Sequence, residues 1–352
     1  MKVLMEGSHA IAEAAIQAGC RFYAGYPITP STEILEYMSH RLPQVGGVCM
    51  NAESEIEAIN MVWGAAGCGV RAMIASTGQG ISLMQESLAE LANAQLPCVV
   101  VNMMRGQGDY YQATRGGGHG DYRHVVLAPV DVREAVELTQ LAFHLADRWR
   151  NPVQIYGDFL LVHTSESVDV SPREFGALPA KDWAVDGSLG GSGRSRNVNP
   201  IGMGKGVKGI DPQKFWQRLA DKHQAIEREE QRFEASDCDD ADLVVVAFGS
   251  LARFARHVVR ELRAQGARVG FFRPITLWPF PAAALASAAT GARRIAVLEQ
   301  NAGQMIDDVR LAVLGAVPVE AIGGISSDEA GFGVGDIYSP ADVRRRVEGV
   351  MR

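Results

Sequence analysis

The sequence predicts an α/β protein of two domains, each built on a largely parallel sheet. In the first half of the chain, short apolar segments alternate with longer amphipathic ones, which is typical of parallel strands joined by helices. A polar, glycine-rich interval follows, and the alternation then resumes. At 352 residues, of which 47% are hydrophobic, the chain is long enough for two domains and can bury a large core.

The first domain is predicted to span residues 1–165. We expect its strands at residues 22–24, 48–50, 71–75, 97–104 and 153–156, and its helices at 8–19, 31–41, 53–67, 81–95 and 131–149. Because helices join these strands, the carboxyl ends of the strands should meet at one edge of the sheet. Ligands of open α/β sheets bind at that edge.

Residues 166–236 are predicted to be a linker and a charged helix. From 171 to 211 the periodicity disappears, so we expect a linker or a surface segment that becomes ordered only against a partner. A helix is expected from 212 to 235. The second domain, residues 237–352, should begin with the continuous apolar strand 243–248. Further strands are expected at 269–272, 295–298 and 317–319.

Composition argues against several classes of partner. The formal charge of −7 and the pI near 5.7 indicate no basic surface for nucleic acid or anionic membranes. No apolar run reaches the roughly 18 residues of a membrane span, and no signal peptide is apparent, so a cytoplasmic location is expected. The five cysteines lack C-x-x-C spacing and are expected to be buried small hydrophobes, with no zinc or iron-sulfur cluster in this chain.

The segment 25–34 (GYPITPSTEI) organises the first domain. A short strand stops at a turn that Pro27 and Pro30 hold extended, and Ser31 or Thr32 is expected to cap the helix that follows. Thr29 should therefore be presented at the ligand-binding edge. An ordinary turn between a strand and a helix would show the same pattern.

Glu55 is the carboxylate most strongly predicted to be functional. On a helix it shares a face with Ile59 and Val62, whereas Glu53 and Glu57 point elsewhere, so Glu55 should be the half-buried one. A half-buried carboxylate can hold or deliver a proton for a substrate or a cofactor. The alternative is that all three glutamates only complement the positive end of this helix.

Two further features lie at the same edge. Arg105 ends a wholly apolar strand, and its guanidinium could bind a planar carboxylate or form a structural ion pair. The turn Gly78-Gln79-Gly80 leads into a helix and could bring its backbone close to a ligand. Glycine turns are common, so this second feature has little specificity alone.

Together these motifs resemble the alpha subunit of 2-oxoacid:ferredoxin oxidoreductases, and most of all the branched-chain (3-methyl-2-oxobutanoate) type. The resemblance covers nearly the whole chain apart from the interval 171–211. The motifs are YPITP at 26–30, AESE at 52–55, GQGISL at 78–83, Arg105-Gly106, GGGHGDY at 116–122, FRPITLWPF at 272–280 and EQNAGQM at 299–305.

The resemblance implies a pyrimidine-binding thiamine diphosphate domain, a parallel sheet with helices on both faces, followed by a transketolase carboxyl-terminal-like domain. It implies that Glu55 is catalytic and hydrogen-bonds the aminopyrimidine ring of the cofactor. Thr29 and Arg105 are then the substrate-binding residues that hold the carboxylate and oxo group. The remaining cofactor contacts implied by the motifs are Tyr26, Pro27, Ile28, Gly78, Gln79 and Gly80.

The reaction implied is oxidative decarboxylation of a 2-oxoacid to acyl-CoA and CO2, with coenzyme A as co-substrate and reduction of ferredoxin. A branched-chain substrate is favoured, with 2-oxoglutarate or an aryl 2-oxoacid as alternatives. Gln79 stands where the family often has proline, and the loop after Arg105 is shorter than in most relatives. Both departures lie beside the implied carboxylate site and leave the substrate open.

The chain is predicted to be active only in a complex. It has no Gly-Asp-Gly segment followed by asparagine that could hold magnesium and the diphosphate. A beta subunit is therefore expected to share the thiamine diphosphate and to supply Mg2+ and an iron-sulfur cluster, with gamma and ferredoxin-like delta subunits besides. Two alternatives are a non-oxidative enzyme, either a split transketolase or a 2-oxoacid decarboxylase, and a scaffolding subunit without chemistry. Intact Glu55 and Arg105 argue against the scaffold.

Overall fold

The computed structural model of the protein describes residues 2–185, 211–325 and 338–352. The first of these ranges has an α/β architecture. Its strands are β1 (Val3–Glu6), β2 (Phe22–Gly25), β3 (Val48–Asn51), β4 (Ala72–Ser76), β5 (Val99–Met104), β6 (Val125–Leu127), β7 (Val153–Asp158) and β8 (Ser165–Val168). Its helices are α1 (Gly7–Gln17), α2 (Thr32–Arg41), α3 (Glu55–Gly67), α4 (Gly78–Leu83), α5 (Gln85–Asn93), α6 (Tyr110–Arg115), α7 (Val132–Trp149) and α8 (Phe159–His163).

The remaining elements belong to the second half of the chain. Its strands are β9 (Phe233–Ser236), β10 (Leu243–Ala247), β11 (Val269–Pro274), β12 (Thr276–Trp278), β13 (Arg294–Leu298) and β14 (Val319–Ala321). Its helices are α9 (Pro212–Glu229), α10 (Gly249–Ala264), α11 (Ala282–Ala288), α12 (Met305–Val313) and α13 (Pro340–Met351).

Within the described ranges the strands form two large sheets and one small one. The larger has the order β12-β6-β7-β5-β4-β2-β3 and is parallel except for β12. The second has the order β14-β13-β10-β11-β9 and is parallel except for β9. The antiparallel pair β1-β8 stands apart. The predicted fold class, α/β with parallel sheets, is confirmed.

The second half of the chain contributes a strand to the first sheet, since β12 pairs with β6. The largest buried apolar cluster also contains side chains of both sheets, among them Tyr156 in β7 and Phe248 directly after β10. The two rings lie 6.0 Å apart between centroids. The predicted division of the chain at residues 165 and 237 stays a prediction, but the two units share core and sheet.

Two predicted helices were wrong in their extent. The helix expected at 212–235 ends at Glu229, and β9 follows at the sheet edge, where Ala235 pairs with Phe272. Glu230, the residue directly after the helix, is buried, and its carboxylate accepts a hydrogen bond from Trp149 Nε1 at 2.7 Å. The helix expected at 81–95 begins earlier and is divided at Met84 into α4 and α5.

The interval 171–211 also differs from expectation where it is described. Residues 171–185 form no helix or strand but lie on the first domain, so their order does not require a partner. Arg173 N donates to Gln140 Oε1 at 2.8 Å, Lys181 Nζ contacts Asp147 Oδ1 at 2.7 Å, and Val185 N donates to Gly67 O at 2.9 Å. The rest of the predicted linker, residues 186–210, lies outside the described residues.

The cysteines follow the prediction in part. Cys20, Cys98 and Cys238 are buried, whereas Cys49 is half-buried and Cys68 is exposed. Burial raises the pKa of the Cys20 and Cys98 thiols to about 12, so both stay protonated at neutral pH. Among the helices described, none has the length and apolar character needed to cross a membrane.

A buried ion pair fastens the two halves together. Arg273 of β11 is 3% exposed, and its Nη1 and Nη2 donate to the two carboxylate oxygens of Glu134 at 2.7 and 2.8 Å. Its Nε donates to Glu234 Oε2 at 3.1 Å. Glu134 in turn accepts the backbone N–H of Val130 ahead of α7 at 2.7 Å. A planar guanidinium can bridge two carboxylates in this way, and an ammonium cannot reproduce the geometry.

We expect Arg273→Lys to lower the free energy of unfolding by about 2 kcal/mol, since it loses hydrogen bonds between charged groups in a buried site. Thermal unfolding followed by circular dichroism measures the loss. Arg268→Lys is the matched control, because Arg268 pairs with Asp242 on the surface and its melting temperature should stay at the wild-type value. Equal melting temperatures for the two variants would contradict a fastening role for Arg273.

Candidate active site at the carboxyl ends of the first sheet

Four neighbouring parallel strands end beside one another. In the order β5-β4-β2-β3, the segments that follow the strands contain Arg105, Gly78 to Gly80, Tyr26 to Pro30, and Ala52 to Glu55. Every residue singled out in the sequence therefore stands on one edge of the sheet. The strand order, which sequence reasoning did not provide, is what makes these segments neighbours.

The start of α3 is fixed by a reciprocal cap. Ser54 Oγ accepts the backbone N–H of Glu57 at 3.3 Å, and the Glu57 carboxylate accepts the backbone N–H of Glu53 at 2.9 Å. The Glu57 carboxylate therefore caps the start of the helix, whereas Glu53 contributes only its backbone N–H, and both side chains are exposed. The Glu55 carboxylate takes no part in this cap.

Glu55 is the buried member of the three glutamates, at 4% exposure, and Ile59 and Val62 on its face are fully buried. The predicted helical face is confirmed, and the burial is deeper than the half-buried state expected. Ser76 Oγ donates to Glu55 Oε1 at 3.3 Å. No other hydrogen bond to the Glu55 carboxylate comes from a described residue, so its second oxygen retains its acceptor capacity.

The glycines of the turn are required by close contacts. A Cβ on Gly80 would lie 2.0 Å from Ser76 Oγ and 2.3 Å from Glu55 Oε1. A Cβ on Gly78 would lie 2.5 Å from both carboxylate oxygens of Asp109. The backbone of α4 therefore lies directly against two carboxylates, which no residue with a side chain would permit. Gln79, between the glycines, is exposed.

Asp109 is a residue of this region that sequence reasoning missed. It is half-buried, and Asn102 Nδ2 donates to its Oδ2 at 3.4 Å. Burial raises the pKa of the Asp109 carboxyl, and the Asn102 amide opposes that rise. Its position soon after the buried strand β5, in a loop that contains Gly106 and Gly108, is the signal that the sequence offers for it.

Among the described residues, no carboxylate forms an ion pair with Arg105. Its Nε and Nη2 donate instead to the backbone carbonyl of Thr29 at 3.1 and 3.0 Å. The guanidinium thus ties the end of β5 to the turn after β2. Thr29 itself is exposed.

The turn that presents Thr29 is held differently from the prediction. Neither Ser31 nor Thr32 caps α2 through its side chain; the Ser31 hydroxyl instead donates back to Ile28 O at 2.8 Å. Tyr26 and Pro27 are exposed and Ile28 is half-buried. These three residues lie directly after β2, at the carboxyl ends of the strands.

The loop after Arg105 connects this edge to the second half of the chain. Gln112 Nε2 of α6 donates to Gly78 O at 3.1 Å and to Ser82 Oγ at 2.7 Å. On the other side of α6, Tyr110 OH donates to Asp308 of α12 at 2.6 Å, and Tyr111 OH to Asp307. No local sequence pattern indicates this connection, because it joins residues almost 200 positions apart.

Gln107 fixes the beginning of the same loop. Its side chain is buried, donates to Phe248 O at 3.1 Å and accepts the backbone N–H of Gln300 at 2.9 Å. Asn301 Nδ2 donates to Gln107 O at 2.9 Å. The loop that carries Arg105 is thereby held against strand ends of both sheets.

No cluster of three or more His, Cys, Asp or Glu side chains that could hold a metal ion occurs among the described residues. The candidate site is therefore defined by a buried carboxylate, a guanidinium and close backbone approach. Polar groups that converge at the strand ends of an open α/β sheet mark the place where such proteins bind ligands.

Comparisons with known proteins identify the class. The family model "Pyruvate flavodoxin/ferredoxin oxidoreductase, thiamine diP-bdg" matches residues 13–188, and "Pyruvate:ferredoxin oxidoreductase core domain II" matches residues 241–331. Ketoisovalerate oxidoreductase subunit VorB of Methanothermobacter thermautotrophicus is 41% identical over 319 residues, 88% of this chain and 89% of that protein. 2-Oxoglutarate synthase subunit KorA of Methanocaldococcus jannaschii is 36% identical over 378 residues, 99% of this chain and 100% of that protein.

Solved structures show the same fold. The 2-oxoglutarate:ferredoxin oxidoreductase from Magnetococcus marinus superposes with a TM-score of 0.85 at 24% identity, covering 100% of this chain and 65% of that chain. An inactive split-gene transketolase tetramer gives a TM-score of 0.59 at 12% identity, covering 98% of this chain and 97% of that chain. The chain therefore has the same fold as these two proteins. The chain belongs to the 2-oxoacid:ferredoxin oxidoreductase family, as an alpha-type subunit.

We expect Gly80→Ala to destabilise the protein by about 1 to 3 kcal/mol, because the added methyl group must displace either the Ser76 hydroxyl or the Glu55 carboxylate. Thermal unfolding measures the change. Gly64→Ala on the exposed side of α3 is the control, since a Cβ there meets nothing within 4 Å. That variant should be neutral or gain up to about 1 kcal/mol of stability. Equal stability of the two variants would show that position 80 has more room than the structure gives it.

Proposed function

We propose that this chain is the alpha-type subunit of a thiamine diphosphate-dependent 2-oxoacid:ferredoxin oxidoreductase that decarboxylates a branched-chain 2-oxoacid. The reaction converts the 2-oxoacid and coenzyme A to acyl-CoA and CO2, with two electrons passed to ferredoxin. The observation that carries the proposal is the buried Glu55 carboxylate, which is held on one oxygen by Ser76 and free to accept on the other.

The residues at the edge fit the pyrimidine side of the cofactor. A ring that offers an amino group and a ring nitrogen needs a carboxylate that can accept and return a proton. Glu55 meets that requirement, and Gly78 and Gly80 allow the backbone of α4 to approach closely. Thiamine diphosphate, when bound, supplies the carbon nucleophile and accepts the electrons released by decarboxylation.

Arg105 and Thr29 are proposed to hold the substrate. Arg105 already orients its guanidinium by two hydrogen bonds to the Thr29 carbonyl, so it needs no rearrangement to offer its remaining N–H groups to a carboxylate. The Thr29 hydroxyl, exposed on the same turn, is placed to donate to the oxo group. Fixing both groups orients the bond that breaks. Tyr26, Pro27, Ile28 and Gln79 complete the surroundings of the cofactor in this proposal.

The branched-chain substrate is supported by the ketoisovalerate oxidoreductase relative at 41% identity. The 2-oxoglutarate synthase subunits are the second candidate, with 36% identity over 99% of this chain. The non-oxidative alternative, a split transketolase or a 2-oxoacid decarboxylase, is supported only by likeness of fold at 12% identity. The oxidoreductase is therefore favoured.

Relatives named as separate subunits indicate that the chain works in a multi-subunit complex. We propose a beta subunit that binds the diphosphate with Mg2+ and carries an iron-sulfur cluster, together with gamma and ferredoxin-like delta subunits.

Large apolar side chains that are exposed around the candidate site and on β3 support the binding of a partner subunit at this side of the first sheet. They are Tyr26, Val48, Met50, Ile56 and Leu83, and β3 is the last strand of its sheet. A partner of this kind would also exclude water from Glu55. A cytoplasmic location is part of the proposal.

The purified complex tests the function through reduction of a viologen dye. Activity should require thiamine diphosphate, coenzyme A and a 2-oxoacid, and branched-chain 2-oxoacids should give the highest kcat/KM in a panel that includes 2-oxoglutarate and aryl 2-oxoacids. A preference for 2-oxoglutarate would move the assignment to the second candidate. Turnover of the 2-oxoacid without dye reduction would favour the non-oxidative class.

We expect Glu55→Gln in the assembled complex to lower kcat by about 100-fold or more, the lower end of what a positioned acid-base group contributes. The amide has nearly the same volume, so thermal stability should change little. Glu53→Gln is the matched control: Glu53 is exposed, and its side chain should be dispensable for turnover. Full activity of Glu55→Gln would exclude Glu55 as the catalytic carboxylate.

Arg105→Lys should keep the charge and lose the planar fork. If the guanidinium binds the substrate carboxylate, kcat/KM should fall by about 10-fold to 100-fold for every 2-oxoacid, whatever its side chain, which corresponds to about 1.5 to 3 kcal/mol. If Arg105 serves only to hold the Thr29 carbonyl, the melting temperature should fall and substrate kinetics should persist. Steady-state kinetics beside a melting curve separates the two roles.

A further inference from the structure

We propose that Ser76 is a positioning residue for Glu55: its hydroxyl fixes the carboxylate so that the free oxygen, Oε2, is the one that exchanges a proton with the cofactor. This inference rests on the proposed function of Glu55.

Ser76 is a polar residue where an apolar one would pack. It ends β4, whose other residues, from Ala72 to Ala75, are apolar and buried. Ser76 is itself fully buried. A buried hydroxyl is costly unless it is hydrogen-bonded. Its hydrogen-bond partner is Glu55 Oε1 at 3.3 Å, and an alanine at this place would avoid the cost altogether.

The contact between Ser76 and Glu55 is closed by the backbone of α4. Ser76 Oγ and Glu55 Oε1 both lie where a Cβ of Gly80 would be, at 2.0 and 2.3 Å from it. The hydroxyl, the carboxylate oxygen and the Gly80 backbone are thus in mutual contact. The carboxylate is held from three sides: by the start of α3, by Ser76 and by Gly80.

The chemistry follows from which oxygen is occupied. The Oε1 oxygen of Glu55 accepts the Ser76 O–H, whereas Oε2 has no donor among the described residues, so Oε2 is the oxygen left to face the cofactor. The Ser76 bond also holds the carboxylate plane, which sets the direction in which a proton is delivered. Without the hydroxyl, Oε1 would lose its donor and the plane could turn, so that only part of the population would be aligned for proton transfer.

Thr77 provides a matched control at the adjacent position. It is fully buried like Ser76, and its Oγ1 has no hydrogen-bond partner among the described residues. Its side chain does not cap α4. Thr77→Val therefore removes a hydroxyl at the same strand end while keeping the shape, and it breaks no hydrogen bond to Glu55.

The test is a double-mutant cycle in the assembled complex, with Ser76→Ala, Glu55→Gln and the double variant. We expect Ser76→Ala alone to lower kcat about 10-fold, the lower end for a hydrogen bond to a charged group, with the KM for the 2-oxoacid unchanged because Arg105 is untouched. In the Glu55→Gln background the same substitution should change kcat less than 2-fold, because it acts through the carboxylate. Thr77→Val should leave kcat at the wild-type value.

A second measurement does not depend on turnover. Calorimetric titration of the cofactor-free complex with thiamine diphosphate should show weaker binding for Ser76→Ala than for Thr77→Val, with equal melting temperatures of the two unloaded variants. Equal losses of kcat from Ser76→Ala in both Glu55 backgrounds, or a fall in melting temperature with unchanged kcat and cofactor affinity, would overturn the proposal. Full activity of Glu55→Gln would instead refute the proposed function on which the inference rests.

Discussion

The parallel register of β5, β4, β2 and β3 is the constraint on which the site depends. Parallel neighbours end at the same edge, and each of these four strands is followed by a segment that carries one part of the site. A slip of one residue in any pair would turn its side chains to the other face of the sheet. The apolar residues of β4 and β5 are buried on both faces, which fixes that register firmly.

A buried carboxylate and a half-buried guanidinium share this edge without pairing with each other. Glu55 is bonded to a neutral hydroxyl, and Arg105 to a neutral carbonyl. Each charge therefore keeps hydrogen-bonding capacity for a ligand, whereas a direct ion pair would have consumed it. Neutral partners of this kind orient a charged group while leaving its charge available for chemistry.

The second half of the chain acts on the site through α6. Asp307 and Asp308 on α12 accept hydrogen bonds from the two tyrosines at the start of α6, and Gln112 on the same helix holds the carbonyl of Gly78. A displacement of α12 would thus reach the turn that lies against Glu55. The second half of the chain is therefore part of the active-site scaffold, and its strand β12 pairs with β6 in the first sheet.

The sequence by itself determined the elements whose signal is local. Helical period placed Glu55 on the buried face of α3, and continuous apolar runs placed β5 and β10, because burial of one face or of a whole strand is encoded within a few neighbouring residues. The motifs around residues 26–30, 52–55 and 78–83 were sufficient to indicate the family. Only the tertiary structure decided the rest: the sheet position of β9 and β12, the Thr29 carbonyl as the partner of Arg105, the hydroxyl of Ser76 on Glu55 and the approach of Asp109 to Gly78. These contacts join residues distant in sequence and depend on strand order and side-chain geometry, for which no local period or composition carries a signal.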